Sequence, residues 1–96
     1  MALKFSITYH HAVAKDDIPR LSPTWREKIK LTIESRLTTE PELYGKPLRR
    51  SLKGYRKLRV GDYRIVFRIE GAVVKIVAIL HRSIVYKIVE KRIIDK

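Results

Sequence analysis

The sequence contains no cysteine, only four glycines, four prolines and one tryptophan, and only ten acidic residues against twenty-two Lys and Arg. Without cysteine there is no disulfide framework, no thiolate nucleophile and no zinc site with sulfur ligands, a composition that suits a reducing cytosol. The longest apolar run, Ile76 to Leu80, is far short of the ~20 residues that span a bilayer. The first residues, MALKFSITYHH, alternate apolar and polar side chains, unlike the unbroken apolar core of a signal peptide. A soluble, cytoplasmic protein is expected. At 96 residues the chain is expected to form one domain, 1–96, with a single core.

The shortage of acids leaves a formal charge of +12, far more than solubility requires, so the expected partner is a polyanion, most commonly nucleic acid. A basic membrane-surface protein would also need a long amphipathic helix with an exposed apolar face, and the candidates here are short. The charge is densest from Lys46 to Arg64, KPLRRSLKGYRKLRVGDYR, where eight of nineteen residues are Lys or Arg and the only acid is Asp62.

Along the chain, Leu3, Phe5, Ile7 and Tyr9 alternate with polar residues, the pattern of a strand with one buried face. His11 to Ile18 reads as a short helix that stops near Pro19. Ser22 is a candidate N-cap with Pro23 at the first helical position, after which Trp25, Ile29, Ile33 and Leu37 form an apolar stripe. Trp25 lies on that stripe and is assigned to packing, not to base stacking. Thr38 to Pro47 reads as a loop; its Gly45-Lys46 lacks the upstream glycine and following Ser/Thr of a P-loop. Period two then returns: Leu58 and Val60 alternate with Lys57 and Arg59, Gly61-Asp62 supplies a two-residue turn, and Tyr63, Ile65, Phe67 and Ile69 complete a hairpin. Glu70-Gly71 reads as the next reversal, and Ala72 to Leu80 as a central strand covered on both faces. The tail from Ser83 to Ile94 reads as a helix or a docking strand.

With Gly61-Asp62 as the loop, Val60 pairs with Tyr63, Arg59 with Arg64, Leu58 with Ile65 and Lys57 with Val66. Leu58 and Val60 then face the core, and Lys57, Arg59 and Arg64 share the opposite face. Arginine directly across from arginine destabilises a sheet by a few tenths of a kcal/mol or more, a cost that points to phosphate binding, for which the guanidinium fork is suited. Continuing the register places Lys75, Val77, Ile79 and His81 on the same face, with Arg82 just past the strand end. Tyr55 and Tyr86 flank the region as candidate stacking residues or core-edge tyrosines.

The run LKGYRKLRVGDYRIVFRIE followed by HRSIVY resembles the RelE/ParE superfamily of bacterial and archaeal toxins. The resemblance extends from the first strand to Tyr86, and its most specific part is L-R-x-G-D-Y-R combined with H-R-x-x-V-Y. It implies an α+β fold, a small antiparallel β-sheet with two N-terminal helices packed on one face. It also implies, in the RelE branch, a toxin that cleaves mRNA in the ribosomal A site and is neutralised by a cognate RelB-like antitoxin in a hetero-oligomer. By motif position the family's catalytic set falls on Lys57, Arg59, Arg64, Arg82 and Tyr86. Some RelE-type members carry a basic residue two positions before Lys57, where this chain has Tyr55, with Arg56 and Lys53 as nearby substitutes. The glutamate and C-terminal histidine of the YoeB-like branch have no counterparts in matching places.

Cleavage of RNA by its own 2′-OH requires removing that proton, neutralising charge on the phosphorane oxygens and protonating the 5′-oxygen. Arg59 and Arg64 suit the second task, Arg82 the leaving group, and Lys57 or Tyr86 the base. Lys46, Arg49, Arg50, Lys53, Arg56, Arg59 and His81 are the expected nucleic-acid contacts. A lone His81 at a strand end is more often structural, and His10 and His11 read as strand-end surface residues. The residues contain no metal-ligand set, so neither metal nor cofactor is expected. Such a site is a poor free ribonuclease, which fits dependence on the ribosome to orient the RNA. The alternatives are a ParE-like DNA gyrase inhibitor and a non-toxic nucleic-acid-binding module.

Overall fold

In the computed structural model, which describes residues 4–94, one five-stranded sheet forms the middle layer. Its strands are β1 (Ser6–Tyr9), β2 (Lys46–Pro47), β3 (Arg56–Val60), β4 (Tyr63–Glu70) and β5 (Val73–His81), in the order β1-β5-β4-β3-β2. Neighbours are antiparallel except β1, which joins β5 in parallel. Leu3, expected at the start of the first strand, lies outside the described residues. Among those residues, no helix is long and apolar enough to cross a membrane.

The first helix, α1, is a π-helical segment Val13–Asp17 continued by the single turn Ile18–Arg20. It passes through Pro19, where the sequence predicts a stop. The wide turn, closed by Ile18 N–H donating to Val13 O, comes just before the proline, whose missing N–H and bulky ring a regular α-turn would not accommodate. The second helix, α2, runs from Pro23–Thr32 into a π-helical Ile33–Leu37. Ser22 caps it as predicted, its hydroxyl accepting from Trp25 N–H at 3.4 Å. The segment predicted as a loop holds a single helical turn, α3 (Pro41–Tyr44), and then β2. Proline at the start of α3 explains the turn. The tail resolves into a helix, α4 (Val85–Ile94).

The two N-terminal helices pack on one face, as expected. Val13 and the α2 stripe of Ile29, Ile33 and Leu37 meet Leu58, Val60, Ile65, Phe67, Ile76 and Ile79 of the sheet. Trp25 covers the hairpin turn: its indole lies where a side chain on Gly61 would sit, and its ring centroid is 5.1 Å from that of Tyr63. Glycine is required at position 61 for that reason and for its φ of +60°. Helix α4 covers the opposite face, where Val85 and Val89 pack on Val66, Val77, Ala78 and Leu80. Both faces of β5 are therefore covered, which is why it is almost entirely apolar. Each fully buried Ile, Leu or Phe of these layers stabilises the fold by about 1.5–3 kcal/mol.

The β3–β4 register is the predicted one, from Val60 opposite Tyr63 to Lys57 opposite Val66. The β4–β5 register is not. The connecting pair is Gly71-Ala72, with Glu70 opposite Val73, and Val66 faces Ala78 while Phe67 faces Ile76, so Val77 is an extra residue, a β-bulge. Moving the turn by one residue displaces the partners by two and leaves the facing unchanged, so Lys75 and Val77 fall on the predicted face. The bulge inverts everything after it. Ile79 opposes Ile65 and His81 opposes Tyr63, on the face of α1 and α2.

The bulge is held by an ion pair that the sequence does not announce. Asp17, 1% exposed, accepts from Arg92 Nη2 and Nη1 at 2.7 and 2.8 Å and from Ile79 N–H at 2.9 Å. Arg92 Nη1 also donates to Val77 O at 2.9 Å. One fork-to-fork contact thus satisfies backbone groups of β5 beyond its pairing with β1 and ties α1 to α4. Removing either partner leaves the other charge buried and unpaired, so Asp17→Ala or Arg92→Ala is expected to lower the unfolding free energy by about 3–5 kcal/mol. Urea denaturation followed by circular dichroism measures it; a loss below about 1 kcal/mol, typical of a surface pair, would contradict this account.

Candidate nucleic-acid interface

The hairpin brings Lys57, Arg59 and Arg64 onto the α4 face of the sheet because Leu58, Val60 and Ile65 are drawn to the other. β2 adds Lys46 directly across from Lys57. Two like-charge pairs, Lys46 with Lys57 and Arg59 with Arg64, therefore stand side by side. Their repulsion costs a few tenths of a kcal/mol per pair unless an anion sits between them. Tyr86, in the first turn of α4, sets its ring 5.7 Å from Lys57 Nζ.

Arg64 and Arg82 each contact the hairpin turn. Arg64 Nη1 donates to Gly61 O and Tyr63 O, both at 3.0 Å. Arg82 N–H donates to Asp62 O at 2.8 Å, and its Nε lies 3.8 Å from Asp62 Oδ1, with both side chains largely exposed. So loose and solvated a pair contributes little, and Arg82 is free to turn to a phosphate. Of the predicted catalytic set, Lys57, Arg59 and Arg64 thus share one face of the hairpin, Tyr86 lies beside Lys57, and Arg82 is tied to the hairpin turn. Beside them a shallow cleft of about 380 Å³ is lined by Tyr44, Lys46, Lys57, Leu58, Arg59 and Arg64.

The remaining predicted contacts divide. Arg49, Arg50 and Lys53 are exposed around the short 3-10 turn Arg50–Leu52, with Arg50 at a left-handed φ of 57°. Arg56 alternates to the other face, and its Nη1 donates to Gly45 O at 2.9 Å and Glu42 O at 3.4 Å. It clamps the α3 turn to the sheet. His81 also leaves the charged face, through the bulge; its ring meets Tyr63 edge-on at 5.8 Å and its Nδ1 lies 2.8 Å from Ser83 Oγ. Tyr55, a candidate stacking residue, is buried under α4, so it packs in the core, while Tyr86 stays half-exposed. Tyr44 was not singled out by sequence; its signal was an aromatic residue immediately before Gly45-Lys46, inside a segment that reads as an unstructured loop.

The chain matches the sequence profile of the ParE toxin of the type II toxin–antitoxin system parDE over residues 10–86. It is 36% identical over 76 residues to the toxin RelG of Mycobacterium tuberculosis, covering 77% of this chain and 87% of that protein. It is 34% identical over 84 residues to the toxin RelE of the same organism, covering 82% and 87%. This chain belongs to the RelE/ParE toxin family. The toxin in the crystal structure of the M. tuberculosis RelBE2 toxin–antitoxin complex superposes with a TM-score of 0.76 at 29% identity, over 83% of this chain and 100% of that one. The RelB–RelE complex of Methanococcus jannaschii shares the fold, with a TM-score of 0.65 at 24% identity over 84% and 96% of the two chains.

In this toxin the histidines read as strand-end residues also sit beside the ion pair. His10 and His11 stack at 4.3 Å, and His10 Nδ1 accepts from Ala12 N–H at 3.1 Å. Partial burial, then His11, Arg92 and Lys75, push the His10 pKa below its ordinary 6.5, against a smaller opposing pull from Asp17. The unfolded chain therefore binds this proton more readily than the folded one. Stability is full above pH 6.5 and falls as pH drops through that value toward the folded pKa. His10→Gln is expected to reduce the loss of stability on acidification from about pH 7.5 to about pH 5.5. Urea midpoints at the two pH values test this, and an undiminished loss in the variant would contradict it.

Proposed function

We propose that this toxin is a ribosome-dependent endoribonuclease that cleaves mRNA in the ribosomal A site. The observation that carries the reading is the gathering of Lys57, Arg59 and Arg64 on a sheet face that bears two like-charge pairs, with Tyr86 beside Lys57 and Arg82 at the hairpin turn. The relatives named RelG and RelE support it. In this reading Arg59 and Arg64 neutralise the phosphorane oxygens with fixed charge, and Arg82 stabilises the departing 5′-oxygen, which takes its proton from water. The 2′-OH proton goes to Lys57 or Tyr86, which lie against each other. Because none of these groups is a strong base, the ribosome supplies the orientation that makes the attack in-line. Lys46, Arg49, Arg50 and Lys53 hold flanking phosphates. Several solved structures of the same fold are complexes with RelB or YefM antitoxins, which supports a RelB-like antitoxin whose acidic or amphipathic segments cover the basic face in a hetero-oligomer. A cytoplasmic location follows from these partners.

The match to the ParE profile favours a second reading, inhibition of DNA gyrase without catalysis. Expression in a bacterial host followed by primer extension on cellular mRNA separates the readings. Codon-positioned cuts support cleavage, a DNA-damage response without cuts supports gyrase poisoning, and unharmed growth points to a non-toxic binding module. Within the cleavage reading, Arg64→Ala and Arg82→Ala are expected to lower kcat on programmed ribosomes by about 10²–10³-fold each, the loss typical of one electrostatic stabiliser. Both should keep the wild-type circular dichroism spectrum. Two folded variants with wild-type cleavage would remove these arginines from the site.

A further inference from the structure

We infer that Tyr44 is a base-stacking platform that holds a nucleotide of the RNA beside the phosphate-binding residues, an inference that rests on the proposed cleavage function. The two most exposed tyrosines are Tyr9 and Tyr44, at 43% and 41%, and only Tyr44 borders the basic cleft. Its ring shares that cleft with Lys46, Lys57, Arg59 and Arg64, so a base lying on it would present its own phosphate to the like-charge pairs. The cleft volume of 380 Å³ falls within the range of ordinary small-ligand sites. Tyr44 thus places an exposed ring at the edge of the cations, where any base could stack on it, since every base offers a π-face.

The turn that carries Tyr44 is held rigidly. Gly45, the next residue, is packed so closely on the Phe67 ring that no side chain could replace its hydrogen. Arg56 reaches across from β3 to the carbonyls of Gly45 and Glu42, and Gly45 N–H donates to Pro41 O at 2.9 Å. The Arg36 guanidinium lies 5.2 Å from the Tyr44 ring centroid, which restrains the ring from the helix side. β2 begins only at Lys46, opposite Lys57, so the edge of β3 from Leu58 onward lies open beside the cleft. The arrangement explains why Arg56, in a run of cations, is committed to the protein's own backbone. It positions the turn, and Tyr44 and Lys46 touch the RNA. With Tyr86 near Lys57 on the other side, the scissile region is flanked by one tyrosine from α3 and one from α4.

The test uses the whole protein with a fluorescently labelled single-stranded RNA of several nucleotides, read by anisotropy across a salt series, together with mRNA cleavage on programmed ribosomes. Tyr44→Ala is expected to weaken RNA binding about 5- to 150-fold, the effect of one lost base–aromatic stack. The slope of affinity against salt should stay unchanged, because no phosphate contact is lost, whereas Lys46→Ala should reduce that slope. Tyr44→Phe should bind within about 2-fold of wild type, since stacking does not need the hydroxyl. On ribosomes, Tyr44→Ala should raise KM or shift the positions of cutting. If the wild type binds RNA and Tyr44→Ala binds and cuts equally well, or if Tyr44→Phe is as impaired as Tyr44→Ala, the stacking assignment falls while the cleavage reading stands. If the wild type neither binds RNA nor cuts mRNA, both fall.

Discussion

The buried pair between Asp17 and Arg92 is the contact on which the two halves of the molecule depend. An isolated carboxylate or guanidinium in that position would cost several kcal/mol in lost hydration. Here each charge is spent on a specific backbone group as well as on its partner: Asp17 accepts from Ile79 N–H and Arg92 donates to Val77 O. These are the groups of β5 at and just after the bulge, beyond the point where β1 stops pairing at Tyr9. The ion pair therefore terminates one side of the sheet, fixes the extra residue, and joins α1 on one face to α4 on the other. Helix α4 in turn delivers Tyr86 to Lys57. The geometry of the basic face is set in part by a contact at the opposite end of the same helix.

The bulge also decides which residues the face contains. Without it, Ile79 and His81 would join the cations, and Ala78 and Leu80 would lie under α1 and α2. With it, the small Ala78 and Leu80 sit under α4, and His81 closes an aromatic series that runs from Trp25 through Tyr63. A single inserted residue thus converts a plausible acid–base histidine into a neighbour of the structural layer. It leaves the charged face to lysine, arginine and tyrosine.

What was legible in the sequence was local. The Gly61-Asp62 turn and the alternation on either side of it determine the β3–β4 register, and with it the placement of Lys57, Arg59 and Arg64, without reference to anything distant. The α2 stripe and its Ser22 cap are likewise contained within one helix. The failures share a cause of the opposite kind. Asp17 and Arg92 are 75 residues apart, and neither stands out in a chain where a third of the residues are charged. Val77 is one β-branched residue among many, and nothing in its neighbourhood marks it as the extra one. Arg56 is one of several closely spaced cations, and only the fold of α3 beside it shows that its bonds go to backbone carbonyls. Pro41 and Pro47, read as signs of a loop, instead start a helical turn and end a two-residue edge strand, both positions where proline loses no hydrogen bond.

The like-charge pairs explain why a basic face of this kind is coupled to the stability of the whole protein. Lys46 opposite Lys57 and Arg59 opposite Arg64 repel in the folded state, whereas an unfolded chain can separate them. The apolar layers on both sides of the sheet offset that repulsion, since even one buried Ile or Leu contributes more than a cross-strand pair costs. An anion seated among the four cations removes the repulsion and gains charge-assisted hydrogen bonds that the unfolded chain cannot offer in that geometry. It therefore binds the native state in preference, and the stabilisation grows as the logarithm of one plus the ratio of its concentration to its dissociation constant. Phosphates of RNA and carboxylates of an acidic protein segment meet this requirement equally. If the proposed function holds, the same four charges that would engage RNA are also ones through which an acidic segment of a partner would hold the fold together.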